Sequence, residues 1–133
     1  MSPWHVINRD TGERVVTDLK IARRFLSRMF GLLLRNELPV GSGLLLVPCS
    51  SVHTFLMSFP IDVILLDRNG HVVDVRRNVR PWSLVRGKPG VHAVLEVPLG
   101  TTNVRIGQSL TLRAAPGYTQ LPPKSAMFLW HGW

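Results

Sequence analysis

The chain has 133 residues, 45% of them hydrophobic, and a formal net charge of +8 at pH 7. That length suits one domain, here residues 1–133, with a core that needs no covalent or metal staple. A single cysteine, Cys49, excludes an intramolecular disulfide and a multi-cysteine zinc site. No apolar run approaches the roughly 20 residues that cross a bilayer. Met1 to His5 lack a basic segment leading into an apolar one, so a cytoplasmic location is expected.

Trp4 to Arg9 reads as a short strand closed by a turn at Asp10-Thr11-Gly12, with Arg14-Val15-Val16 as its hairpin partner. Thr17 or Asp18 then caps a helix. Ile21, Phe25, Met29 and Leu32 recur at three- and four-residue spacing as an apolar stripe, with Lys20, Arg24 and Arg28 as a basic stripe beside it. Pro39 to Gly43 is a loop. Leu44 to Val47, Val52 to Met57 and Ile61 to Leu66 are apolar runs between breakers and read as strands, the third covered on both faces. Asn69-Gly70 predicts a two-residue hairpin loop, and His71 to Arg77 the returning strand. A long loop with Pro81, Gly87, Pro89 and Gly90 precedes further strands at Val91 to Val97 and Val104 to Leu112. The expected fold is α+β and mostly β: a compact barrel-like antiparallel or mixed sheet with one main helix near residues 18–33. The tail, ending Met127-Phe128-Leu129-Trp130-His131-Gly132-Trp133, is apolar enough to dock on the domain or to build a homodimer.

Cys49 and His53 invite a nucleophile–base reading, but four residues of strand span roughly 13 Å and a dyad needs about 3 Å. They could cooperate only if the chain folds back at Ser50-Ser51; otherwise Cys49 is a small buried hydrophobe. Alternation puts His53, Phe55 and Met57 on one strand face, where His53 is either a core-edge histidine or the polar anchor of an apolar pocket. Asp62 interrupts an apolar strand and needs partners. A two-residue loop at Asn69-Gly70 would set it opposite Arg77, so Asp62 is expected in a cross-strand ion pair or bonded to the backbone near Pro60; the functional alternative is that Asp62 meets His53 at a pocket mouth. Glu96 either faces solvent or pairs with an arginine, Arg28 and Arg35 being the natural partners. Arg76, Arg77, Arg80, Arg86 and Lys88 gather around Trp82, the pattern of an anionic-polymer surface or simply of a solvated basic face. No Gly-rich phosphate loop, HExxH helix or G-x-S-x-G elbow is present.

Several motifs then stand in order: Arg28-Met29-Phe30-Gly31-Leu32, Gly43-Leu44-Leu45, Ser51-Val52-His53-Thr54-Phe55-Leu56-Met57, Phe59-Pro60-Ile61-Asp62-Val63, Leu66-Asp67-Arg68-Asn69-Gly70-His71-Val72-Val73, and Val94-Leu95-Glu96 with Gly100. The series resembles the prokaryotic family known as domain of unknown function 192, over Ile21 to Leu112, with residues 115–133 as an extension. The resemblance implies a compact β-rich fold with one main helix and no established enzymatic activity. No cofactor is expected. The family often has Gly-Leu-Met where this chain has Gly31-Leu32-Leu33, and an acid where it has Gln108.

Three functions are therefore weighed. The first is a non-enzymatic binding or accessory domain for a small ligand or protein partner, with a pocket formed by His53, Met57, Asp62, Glu96, Arg28 and Arg35. The second is binding of nucleic acid or another anionic polymer through Arg76, Arg77, Arg80, Trp82, Arg86 and Lys88. The third is an enzyme using Cys49, His53 and Asp62.

Overall fold

The run Ile61-Asp62-Val63-Ile64-Leu65-Leu66 has no polar face, and it becomes the most enclosed strand of the fold. In the computed structural model, residues 2–22, 38–53 and 58–132 are described, Val52 and His53 as backbone only. These residues form β1 (Trp4–Asn8), β2 (Arg14–Val16), β3 (Asp18–Ala22), β4 (Ser42–Leu46), β5 (Ser51–His53), β6 (Ile61–Leu66), β7 (Val72–Val79), β8 (Leu84–Arg86), β9 (Ala93–Pro98), β10 (Leu110–Ala114) and a 3₁₀ helix at Lys124–Leu129. A five-stranded mixed sheet runs β3-β4-β9-β6-β7, a three-stranded sheet runs β10-β1-β2, and β5 and β8 pair as a ribbon. Among the named strands of the described residues, β3 and β4 alone pair in parallel, from Asp18 opposite Ser42 to Ala22 opposite Leu46. The fold is thus mostly β with a minor helix. The sheets do not close, so the barrel-like expectation is replaced by packed open layers.

Every residue of β6 and β9 is buried. Alternation divides their side chains between two cores. Ile64, Leu66, Leu95 and Val97 join β1, β10 and the tail in one; Ile61, Val63, Leu65 and Val94 join Phe59, Val85 and Cys49 in the other.

The helix expected to begin at Thr17 or Asp18 is corrected at its start. Residues 18–22 are β3, with Leu19 buried and Lys20 exposed. Ile21 satisfies both a period of two and the spacing to Phe25, and pairing with β4 decides for the strand. The rest of that helix and its basic stripe lie outside the described residues. β4 begins at Ser42, inside the expected loop. Val104 to Ser109 is not strand; its backbone instead closes onto β7 through Gly107 N–H to the Val72 carbonyl and Val72 N–H to the Gln108 carbonyl.

The β6–β7 hairpin loop holds three residues rather than two. Asp67 N–H donates to the His71 carbonyl, Gly70 adopts φ +80°, and the Asp67 carboxylate accepts the N–H groups of Asn69 and His71. This is the three-residue form ending in a left-handed glycine. Val73 then bulges, because Leu66 faces Val72 while Leu65 faces Asp74. The bulge restores from Leu65 onward the register a two-residue loop would have given.

The tail is docked on its own domain. Ala126 and Leu129 are fully buried, Trp130 bridges to Leu112, and the Trp4 ring meets Tyr118 and Trp130 edge-on at 5.3 and 5.7 Å. Leu129 and Trp130, two of the side chains that suggested a homodimer, are therefore used within the chain. Among the described residues no helix is long and apolar enough to cross a membrane. Leu129→Ala is expected to lower unfolding free energy by about 2–4 kcal/mol, and Met127→Ala, 39% exposed, by about 0.5 kcal/mol or less. Urea denaturation of the two variants checks this; equal losses would mean the tail is not docked as described.

Candidate functional site

Asp62 sits 1% exposed in β6, on the face toward the first core. A charge there must be fully bonded. A second β7 bulge supplies a donor: Ile61 faces Val79 and Val63 faces Arg76, so Arg77 and Asn78 together oppose Asp62. Asn78, at φ +52°, turns its N–H onto Asp62 Oδ1 at 2.8 Å. Gly100 N–H reaches Oδ2 at 2.9 Å, and Arg77 Nη1 stands 3.6 Å from the same oxygen. Arg77 also donates to the carbonyls of Thr102 and Val104, both at 3.0 Å. The predicted Asp62–Arg77 ion pair is thus present, and both carboxylate oxygens hold the loop after β9 against β7.

Asp74 does similar work at the other end of β7. Burial opposes its ionisation. The hydrogen bonds from Arg76 Nε at 2.6 Å and Val75 N–H, with the charges of Arg76 and Lys88, outweigh that and hold its carboxyl below the ordinary 3.8. Lys88 Nζ is 3.7 Å away, so Asp74 ties β7 to the loop after β8.

Between β7 and β8 lies an open cleft of about 430 Å³ lined by residues 75–80 and 83–85. Three arginines, Arg76, Arg77 and Arg80, border it, with Asn78 and Ser83 as further polar groups. Trp82, in the turn between the strands, is 65% exposed at φ +62°, and Leu84 beside it is 53% exposed. A left-handed tryptophan costs about 1–2 kcal/mol, and such strain gathers at functional positions. Among the described residues, Arg76 and Lys88 pair with Asp74, and Arg77 with Asp62; Arg80 and Arg86 add two more cations to this stretch of chain. β8 is held by close backbone approach: a Cβ on Gly87 would overlap the Ser50 carbonyl.

The expected small-ligand pocket comes together only in part. Glu96 is fully buried in β9, not solvent-facing, and by alternation lies on the Val94 face of the sheet, opposite to Asp62. Met57, Arg28, Arg35 and the His53 side chain lie outside the described residues. Cys49 is half-buried against the second core, its thiol donating to the Ser51 carbonyl at 3.0 Å. Cys49 and Asp62 thus attend opposite faces of the central sheet. Asn78, Ser83 and Leu84 were missed as cleft-lining residues. The signal available was the short Leu84-Val85 run after Pro81. At Gln108, where the family often has an acid, the amide oxygen accepts Asn8 Nδ2 at 2.8 Å and Arg105 N–H at 2.9 Å, so a neutral acceptor serves.

The DUF192 family model, described as an uncharacterized ACR, matches residues 6–112. The match takes in β1 and β2, upstream of the Ile21 boundary, and leaves the tail outside. UPF0127 proteins of Thermococcus sibiricus (strain DSM 12597 / MM 739) and Pyrococcus abyssi (strain GE5 / Orsay) are each 34% identical to the chain. The first alignment covers 79% of this chain and 72% of the relative, the second 74% and 86%. A protein of unknown function from Novosphingobium aromaticivorans DSM 12444 shares the fold with a TM-score of 0.68 at 22% identity, over 81% of this chain and 82% of that one. A Sinorhizobium meliloti 1021 protein does so with a TM-score of 0.67 at 21% identity, over 80% and 89%.

Asp62→Ala strands two backbone N–H groups and an arginine, and is expected to cost about 2–4 kcal/mol in a denaturant titration. A loss below about 1 kcal/mol would contradict the bonding described. Asp74→Asn is expected to lower stability by about 1 kcal/mol at pH 7. Because the folded carboxyl titrates below 3.8, its contribution is complete above that value and is lost as pH falls through the folded pKa. Thermal melts from pH 7 to pH 2 should therefore converge with the parent's at the acid end.

Proposed function

The chain belongs to the DUF192 family, a membership from which no reaction follows, and we propose that it is a non-enzymatic domain that binds single-stranded nucleic acid along β7 and β8. The observation that carries this reading is Trp82, exposed and held at positive φ in the turn that follows the cleft arginines Arg76, Arg77 and Arg80. Non-specific single-strand binding combines a cationic groove that follows phosphates with an aromatic ring on which a base stacks. Both parts are present within one turn and its flanking strands.

The competing pocket around Asp62 is less well supported, because that carboxylate is spent on Asn78, Gly100 and Arg77. The enzyme reading is weaker for the same reason. Cys49 and Asp62 face different layers, and the Cys49 thiol is directed at a carbonyl.

Fluorescence anisotropy with a labelled DNA strand of about 12 nucleotides tests the proposal. Arg76→Ala with Arg80→Ala should weaken binding at least about tenfold and reduce the log K against log salt slope by about 1.4. Trp82→Gly should weaken it about five- to tenfold while leaving the melting temperature unchanged or higher, since glycine relieves the positive φ. Salt-independent binding, or Trp82→Gly binding DNA as tightly as the parent with heparin displacing both equally, would overturn it in favour of general polyanion attraction or none.

A further inference from the structure

A second basic cavity lies far from the β7–β8 cleft in the chain's topology. It sits on the outer face of the three-stranded sheet and measures about 400 Å³. Ile7 stands opposite Thr111 and His5 opposite Arg113, while Arg9 N–H bonds the Ser109 carbonyl. Alternation then places Arg9 and Arg113 on one face, one on each side of the Ile7–Thr111 pair. Arg9 and Arg113 both line the cavity, with Ile7 as an apolar contribution from the same face.

The tail supplies the remaining wall. After Trp130 bridges to Leu112, His131 is held against the sheet by Thr111 Oγ1 at 2.9 Å and the Leu129 carbonyl at 3.1 Å, and Gly132 follows at φ +98°. Arg9 Nη1 lies 3.3 Å from His131 Nε2. As an arginine only donates, Nε2 is the acceptor and Nδ1 carries the proton. A cation aimed at a neutral imidazole is a weak arrangement beside one aimed at an anion.

Among the described residues, Asp10 and Glu13 are engaged elsewhere. Asp10 Oδ2 accepts Ser109 N–H at 2.7 Å, and the Glu13 carboxylate accepts Thr102 Oγ1 and Asn103 N–H. Among the described residues no carboxylate forms an ion pair with Arg9 or Arg113. Two arginines lining one cavity supply the donors that an oxyanion needs. We propose that this cavity binds a small multivalent oxyanion of the phosphate class between Arg9 and Arg113, with the His131–Gly132 segment as its wall. The ligand would draw Arg9 off His131 and clasp the C-terminal segment to the sheet. The site is independent of the nucleic-acid reading.

Titration of the full chain with inorganic phosphate, followed by ¹H–¹⁵N correlation spectra at constant ionic strength, tests it, with sodium chloride as the matched control. Saturable shifts are expected at Arg9, Thr111, Arg113 and Gly132. Arg9→Ala with Arg113→Ala should weaken binding at least about tenfold with an unchanged melt, both side chains being exposed. Arg9→Lys with Arg113→Lys should retain more than the alanine pair, and Arg76→Ala with Arg80→Ala should retain parent affinity. Shifts reproduced by chloride, shifts centred on residues 75–85, or phosphate affinity unchanged in the Arg9/Arg113 alanine pair would each overturn the proposal. Oligonucleotide binding by that alanine pair at the parent level separates failure here from failure of the nucleic-acid reading.

Discussion

The buried carboxylate of Asp62 is the constraint on which the functional end of this fold depends. A charge 1% exposed in the central strand must be matched, and here three groups from two segments match it. The Asn78 N–H becomes available only because β7 bulges. Gly100 fixes where β9 ends. Arg77 carries the link on to the carbonyls of Thr102 and Val104. The bulge also sets which way the end of β7 is presented, and that strand end bears the arginines of the cleft. Asp62 thus acts as a positioning group for the surface rather than as a ligand group.

The same economy explains how the cations coexist. Arg76, Arg77 and Lys88 would repel one another if left unpaired. Asp74 draws Arg76 and Lys88 together from two elements, while Asp62 engages Arg77 from beneath. Lys88 also ties the loop after β8 to β7, and Arg77 ties the segment after β9 to it through the Thr102 and Val104 carbonyls. The exposed Trp82 indole stands in the turn between β7 and β8.

Much of this was legible in the sequence. β6 was read to the residue because six buried positions in a row fit a central strand and little else. The register that places Leu65 against Asp74, and Asp62 against Arg77, followed from Asn69-Gly70, although the loop holds three residues and the Val73 bulge restores the alignment. β3 was not legible: Leu19, Ile21 and Ala22 fit a helix as readily as a strand until β4 pairs with them. Nor was the burial of Glu96, since a lone acid in an apolar run gives no sign of its face. The sequence points first to a pocket around His53 and Asp62, and only second to the cations around Trp82. What sequence lacked was the left-handed backbone of Trp82, which no glycine marks, and the three-residue strand β8 that closes the cleft.

The most direct measurement of the account is hydrogen–deuterium exchange of the full chain with and without a single-stranded oligonucleotide. The account predicts added protection concentrated in residues 75–86, from the end of β7 through Trp82 into β8, with β1 and β10 unchanged. Protection spread evenly over the basic residues of every face, or absent from the Trp82 turn, would contradict it.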